Sequence, residues 1–334
     1  MSNRNDSRTA LRLLADVGGT NARFALQAGS DGPITQVQTL PCADHPSLRE
    51  AIEHYLGLES PQARPQRAAI AIANPIRGDR VQMTNHHWSF SIEALRQTLS
   101  LEQLELLNDF TALALALPYL PPADLRQIGG PPDASARHSP TALGLIGPGT
   151  GLGVSGLVPD GRGGWCPLQG EGGHVTLSAA NDAEQVVLAL LRLRFGHVSA
   201  ERAVSGQGLS NLYGALTQRD TGTWPQELPT AAAVSQQAIE GQDPRASEAL
   251  ELFFAFLGTV AGNLALTLGA WGGIFLGGGI LPRLGAHLEA SLFRERFEAK
   301  GRFENHLKGV PVWVIQAQQS PALLGAARRL DMGV

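Results

Sequence analysis

The chain alternates between short apolar runs and polar or glycine-rich breaks, and one arrangement of the two occurs twice. Over residues 11–26 an apolar run reaches Asp16, turns at Gly18-Gly19-Thr20 and leaves on a second apolar run. Over residues 141–158 the plan repeats around Gly149-Thr150-Gly151. Short runs bounded by turn residues predict paired strands, here 11–15 with 22–26. A strand–turn–strand unit that occurs twice predicts two related lobes facing each other. Glycines let the backbone approach a ligand and let successive N–H groups point one way. Each turn is therefore a candidate nest for phosphate oxygens, with the Thr hydroxyl as a further donor. One nucleotide triphosphate held by both turns is the functional expectation; two ordinary hairpins are the plain alternative.

The remaining pattern places helices and strands around these turns. Residues 47–56 put Leu48, Ile52 and Tyr55 on one helical face, and 67–73 predict a buried strand that stops at Asn74-Pro75. A helix begins at Ser91 and runs to Leu99. Residues 104–107 form a short strand ending on Asn108-Asp109-Phe110-Thr111, and 112–117 continue as helix. The Pro/Gly-rich stretch 118–140 is the best candidate for a domain boundary. Beyond it, capping-box spacing from Asp182 to Gln185 starts a helix through Phe195, and a further helix lies near 209–216. Asp243-Pro244 opens a long helix to about Leu268. A strand over 271–276 runs into Gly277-Gly278-Gly279. Residues 283–298 read as helix, 310–316 as strand and 322–330 as an amphipathic helix, with Arg328 and Arg329 suited to its C-terminal end. Residues 252–282 carry no charge, yet eight glycines, Asn263 and two threonines interrupt them. A buried helix and strand are expected there rather than a membrane span.

Composition narrows the chemistry. A chain of 334 residues has room for two domains or one large one, and a net charge of −4 offers no basic footprint for nucleic acid. Lys300 and Lys308 are the only lysines, which excludes a Walker A loop at either glycine turn. Cys42 and Cys166 form no CxxC pair, so a reducing cytoplasm and no zinc site are expected. The polar N-terminal segment MSNRNDSRTA does not read as a signal peptide.

Several polar groups are candidates for the site. Asp16 beside bound phosphate would be repulsive without a cation, so it is a candidate Mg²⁺ contact, direct or through water, with turn capping as the alternative. The adjacent His86 and His87 read as turn residues with Trp88 packing beneath. Asn108-Asp109 stands where α/β folds place active-site groups, and an amide beside a carboxylate suits a polyhydroxylated substrate. Asp109 as a helix cap remains open. Glu171 and His174, on Gly170-Glu171-Gly172-Gly173-His174, suit ligand hydroxyls better than a metal half-site. Glu201 by itself reads as a helix-end or surface carboxylate. Gly277-Gly278-Gly279 could admit a flat adenine or ribose against the backbone. The formal GxGxxG at Gly151–Gly156 is rejected as a dinucleotide motif because strand and turn follow it, not helix.

Seven segments together resemble the bacterial glucokinase family of the actin/hexokinase/Hsp70 superfamily. They are ADVGGTNARFAL, MTNHHWSFS, LLNDFTALA, IGPGTGLGVSGL, GEGGHV, GHVSAERAVSGQGLSNLY and GGIFLGGGI, in order from residue 15 to 280. The related ROK kinases and repressors carry a CxCGxxGCxE zinc motif that this chain lacks. The resemblance implies an α/β, two-lobed actin-like ATPase (ribonuclease H-like) fold with the active-site cleft between the lobes. It implies a small domain of 1–119 plus about 314–334 and a large one of about 120–313. It also implies an ATP-dependent glucokinase acting on the 6-hydroxyl of glucose, with Asp109 as general base. Asn85, Asn108, Asp109, Gly149, Glu171, His174 and Glu201 would meet the sugar. Ala15, Asp16, Val17, Gly18, Gly19 and Thr20 would form the first phosphate loop, Gly149 and Thr150 the second, and Gly277, Gly278 and Gly279 would lie near the adenosine. The cofactors would be ATP and Mg²⁺. A homodimer is expected by the same resemblance; the cytoplasmic location and the absence of nucleic-acid and membrane partners are expected from the cysteines, the net charge and the interrupted apolar stretch. A sugar-binding regulator and an ATPase acting on proteins are the competing classes.

Overall fold

A computed structural model describes residues 10–60, 64–84, 86–132, 140–317 and 319–332. The chain divides into two units, Met1–Leu120 with Ala317–Val334, and Pro121–Gln316.

In the first unit the opening apolar run is β1 (Leu11–Val17), which crosses the glycine turn to β2 (Asn21–Ala28) and on to β3 (Ile34–Pro41). There follow α1 (Leu48–Glu59), β4 (Arg67–Ile72), the ribbon of β5 (Arg80–Gln82) and β6 (Ser89–Ser91), α2 (Ile92–Thr98), β7 (Gln103–Asn108) and α3 (Asp109–Ala116). The sheet order is β3-β2-β1-β4-β7, antiparallel on the hairpin side of β1 and parallel from β1 to β7. Alternation along β1 divides its side chains between two layers. Leu13, Ala15 and Val17 join a core with Phe24, Tyr55 and Trp88, whereas Leu14 joins Ala25 and Ala69 in the other layer.

The second unit begins with β8 (Leu125–Gln127), β9 (Leu143–Pro148), β10 (Leu152–Pro159) and β11 (Trp165–Leu168). Helices α4 (Asp182–Phe195), α5 (Gly206–Thr221), α6 (Ala231–Ile239) and α7 (Pro244–Leu268) precede β12 (Ile274–Leu276). After it come α8 (Gly285–Ala290), α9 (Phe293–Glu298), α10 (Glu304–Lys308) and β13 (Val312–Ile315). The sheet order is β11-β10-β9-β12-β13-β8. Without β8 at its edge, this is the strand order of the first unit, with the same antiparallel hairpin side and the same parallel side. The twice-used strand–turn–strand pattern thus reports two units of one topology. Helix α7 is long and apolar enough to span a membrane by length and composition, and most of its apolar window is buried in this unit, with Phe253, Phe254, Phe256 and Leu257 in the core. The core also holds an ion pair between Arg296 and Glu184, completed by Arg296 Nη2 donating to Thr259 Oγ1 at 2.9 Å.

The last helix, α11 (Pro321–Asp331), belongs to the first unit. Leu323, Ala326, Ala327 and Leu330 cover Leu14, Ala25 and Ala69. Its C-terminal end is tied to the sheet by Arg12 to Asp331 at 2.7 Å and by Arg67 Nη2 to the Leu330 carbonyl at 2.6 Å. It lies so close to α3 that a Cβ at Gly325 would overlap the Ala112 carbonyl oxygen.

Local expectations fail where two neighbouring residues compete for one role. The capping box of α4 uses Asn181, whose Oδ1 accepts from Glu184 N at 2.9 Å, while Glu184 Oε2 accepts from Ala180 N at 2.8 Å. The box therefore starts one residue before the expected Asp182. The single helix expected over 283–298 is two helices. Extended backbone at Ser291 breaks it, and the Ser291 hydroxyl accepts from Phe293 N at 3.1 Å to start the second.

Candidate functional site

In the first unit the C-terminal ends of β1, β4 and β7 are in register, Val17 beside Ile72 and Ile72 beside Asn108. Loops leaving that one edge bring together Asp16, the turn Gly18-Gly19-Thr20, Asn74 and the pair Asn108-Asp109. Ala15 and Val17 are buried in β1 and serve as backbone. The turn is closed by Gly18 N donating to the Asn21 carbonyl at 2.9 Å, and Cys42 N donates to the Thr20 carbonyl at 2.8 Å. A Cβ at Gly18 would meet only Asn21 O, at 3.5 Å, so the turn has room for a ligand atom close to its backbone.

Asp16 is half-buried, and both of its side-chain contacts fall on Oδ2: the Ser320 hydroxyl at 2.6 Å and Arg23 Nη1 at 3.4 Å. Asn108 caps α3, its Oδ1 accepting from Phe110 N at 3.0 Å and Thr111 N at 3.3 Å. The cap is thus Asn108 and not Asp109, because β7 ends with extended backbone at Asn108 and the helix begins at the next residue. The Asn108 amide N–H₂ faces the Asp109 carboxyl as a donor, which leaves one N–H for a ligand. Asp109 Oδ1 accepts from Phe110 N at 2.9 Å. Burial pushes the Asp109 carboxyl up to about 6, and the negative charge of Asp16 adds to the rise against the backbone and Asn108 hydrogen bonds.

Asn74, absent from the sequence expectations as a site residue, is buried and accepts from Thr84 N at 3.0 Å and Thr84 Oγ1 at 2.6 Å. It anchors the loop leading to Asn85, which itself lies outside the described residues. Trp88 is buried beneath His86 with the rings edge to face at 4.8 Å, and its Nε1 donates to the His45 carbonyl at 3.0 Å.

The second unit builds its group around the turn between β9 and β10. Gly149 N donates to the Gly151 carbonyl at 2.8 Å, and Gly206 N donates to the Gly149 carbonyl at 2.8 Å, tying the turn to the start of α5. Thr150 is exposed at the tip. Glu201 is not a free surface carboxylate: its Oε2 accepts from Leu152 N at 2.8 Å. A Cβ at Gly151 would lie 2.5 Å from the same oxygen, so glycine is needed for that approach. The turn Gly172–His174 is drawn to Glu201 by Ala200 N donating to the Val175 carbonyl at 2.9 Å and by a bridge between Thr176 and Ser199. A Cβ at Gly173 would overlap the Leu152 carbonyl oxygen, which packs this turn against β10. Glu171 and His174 present exposed side chains on either side of that buried glycine.

Gly277-Gly278-Gly279 leaves β12 beside the same turn, with Gly277 N donating to the Ile146 carbonyl at 2.9 Å. Gly278 has φ of +84°, and a Cβ there would overlap the Pro148 carbonyl oxygen. Gly149 and Gly279 face open space: a Cβ at Gly149 would find only Gly151 O, at 4.0 Å, and one at Gly279 nothing within 4 Å. These cradles fit a nucleotide held by backbone groups. Among the described residues no three His, Cys, Asp or Glu side chains gather as a metal cage. Mg²⁺ needs no such cage, since one carboxylate, phosphate oxygens and water satisfy it, and Asp16 fits that donor set.

The model of the Glucokinase family matches residues 13–332. A glucokinase of Aromatoleum aromaticum is 54% identical over 325 residues, covering 97% of this chain and 96% of the relative. The crystal structure of a glucokinase from an Antarctic psychrotroph is 39% identical with a TM-score of 0.88, covering 97% of this chain and 99% of that one. A ROK family glucokinase from Streptomyces griseus, solved in complex with glucose and AMPPNP, has the same two-domain actin-like ATPase fold at 18% identity, with a TM-score of 0.63 over 97% of this chain and 100% of that one.

Proposed function

The chain belongs to the bacterial glucokinase family, and from that premise we propose that it transfers the γ-phosphoryl group of ATP to the 6-hydroxyl of glucose. Asp109 carries the proposal: a carboxylate at the end of β7, held by its own helix and raised to about 6, on the sheet edge that also bears Asp16 and the Gly18-Gly19-Thr20 turn. A primary hydroxyl is a poor nucleophile at neutral pH. A positioned carboxylate that accepts its proton as the bond forms contributes about 10²–10⁴ in rate, most effectively with a pKa near the working pH. The remaining catalysis in phosphoryl transfer is alignment and charge neutralisation. Backbone N–H groups of the two glycine turns and the hydroxyls of Thr20 and Thr150 supply donors for phosphate oxygens. Asp16 is the residue that would hold Mg²⁺, which when bound supplies neutralisation of phosphate charge. Asn108, Glu171, His174 and Glu201 bind the sugar's other hydroxyls, and a group that the bound sugar covers but leaves unpaired for want of a hydroxyl provides selectivity. Gly277, Gly278 and Gly279 flank the adenosine. A distant relative of this fold that takes both glucose and an ATP analogue supports the pairing of ligands. The direct test follows ADP release from MgATP with no sugar, then with glucose, mannose or fructose. Release that ignores sugar would replace the kinase with an ATPase.

The pH dependence follows from the Asp109 shift. The base works ionised, and burial pushes its carboxyl up from the ordinary 3.8 to about 6. In the free enzyme kcat/KM for glucose therefore falls as pH drops through about 6 and is level above it. A profile still flat at about pH 5 would remove Asp109 from the role.

Glu201 has two duties, since the Oε2 that holds Leu152 N lies at the phosphate turn. Glu201→Ala is expected to raise the KM for glucose and for ATP together, each by about tenfold, the usual loss for a hydrogen bond to a charged group. His174→Ala should raise the glucose KM alone. An unchanged ATP KM in Glu201→Ala would confine Glu201 to the sugar.

A further inference from the structure

We propose that Ser320 is a positioning residue for the Asp16 carboxylate. The inference rests on the reading that Asp16 holds the nucleotide-bound cation. Ser320 occupies the N-cap position of α11, where a serine side chain ordinarily accepts from a backbone N–H of the first turn. It makes no such cap bond. Its hydroxyl is 2.6 Å from Asp16 Oδ2, across 304 positions of sequence, and donates to it because an ionised carboxylate only accepts. The helix does not need this bond to stay in place. Arg12 with Asp331, and Arg67 with the Leu330 carbonyl, fasten its other end, and Leu323, Ala326 and Leu330 are buried against the sheet. Proline at the first helical position starts the helix without a side-chain cap.

The bond does something for Asp16 that Arg23 does not. Arg23 reaches Oδ2 from an exposed position at 3.4 Å, whereas Ser320 fixes the same oxygen from the packed end of a helix. With Oδ2 held, rotation of the carboxylate is restrained and Oδ1 is the oxygen presented to a ligand. Outer partners of metal-binding carboxylates act in this way, and their loss costs about 10–100-fold in metal affinity.

The test is equilibrium binding of ADP to the full-length protein, by calorimetry, in Mg²⁺ and separately in EDTA. Ser320→Ala is expected to weaken ADP binding in Mg²⁺ by about tenfold and to leave it unchanged in EDTA. Glucose affinity, read by intrinsic tryptophan fluorescence, and the melting temperature should stay near wild type, and Ser320→Thr, which keeps the hydroxyl, should restore the Mg²⁺-dependent affinity. Wild-type ADP affinity for Ser320→Ala in Mg²⁺ would overturn the proposal. So would an equal loss in Mg²⁺ and EDTA, which would make Ser320 a structural tether. Asp16→Asn separates the two levels. If it lowers the Mg²⁺-dependent affinity while Ser320→Ala does not, only the Ser320 role falls. If Asp16→Asn has no effect, the cation role of Asp16 falls and the Ser320 inference with it.

Discussion

Asp109→Asn is expected to bind glucose within several-fold of wild type while kcat falls by about 10²–10⁴. The amide keeps the size of the carboxylate and can still accept from Phe110 N, the bond Asp109 makes at 2.9 Å, so α3 should start as before. What it cannot do is take a proton. The stability of the variant separates a catalytic from a structural role. The folded carboxyl is raised from 3.8 to about 6, chiefly by burial, so the folded state binds the proton more tightly than the unfolded chain. The associated stability is fully present below the unfolded pKa and is lost as pH rises through about 6. Above that, a shift of this size is a standing cost of at most about 3 kcal/mol. Asparagine carries no charge to bury. Asp109→Asn should therefore melt no lower than wild type at about pH 7.5, with the difference narrowing toward acid. A variant that loses turnover, glucose binding and melting temperature together would show Asp109 to be structural.

Gly325→Ala carries the second large effect, and it acts from the back of the first unit. A methyl group there would overlap a backbone oxygen, Ala112 O on α3, which cannot rotate away as a side chain could. Helix α11 must back off from α3, against the buried contacts of Leu323, Ala326 and Leu330. Overpacking of this kind costs about 3 kcal/mol. For a unit of this size that is a fall in melting temperature on the order of 10 °C. Because α3 begins at Asp109, a displacement on the order of 1 Å should also lower kcat by about 10². Gly57→Ala is the control: its helix position has nothing within 4 Å of an added Cβ, so the substitution should stabilise by about 1 kcal/mol. Equal behaviour of the two alanines in thermal melts and kcat would show that α11 and α3 are not tightly packed.

The elements legible in the sequence are those whose cause is local. The turns between β1 and β2 and between β9 and β10 follow from apolar runs meeting glycine, and α7 follows from an Asp-Pro start. The edge strand β3 escaped the pattern. The β3 segment ITQVQTLP buries none of its residues and relies on hydrogen bonds to β2. Helix α6 escaped too, since its alanines and glutamines give little amphipathic contrast and Val234 is its one buried residue.

The candidate site divides along the same line. Residue types and order determined by themselves that two glycine turns, an Asn-Asp pair and a Glu-Gly-Gly-His loop were present, because turn chemistry and side-chain chemistry reside in a few adjacent residues. Tertiary structure alone decided that Asn108 and not Asp109 caps α3, that Glu201 is bonded to the start of β10 beside the second glycine turn and that Ser320 reaches Asp16. It also decided that burial lifts the Asp109 carboxyl toward neutrality. Each of these depends on which distant backbone or side chain arrives within hydrogen-bonding distance, or on how much water is excluded. Register and packing set those quantities, and no local pattern encodes them.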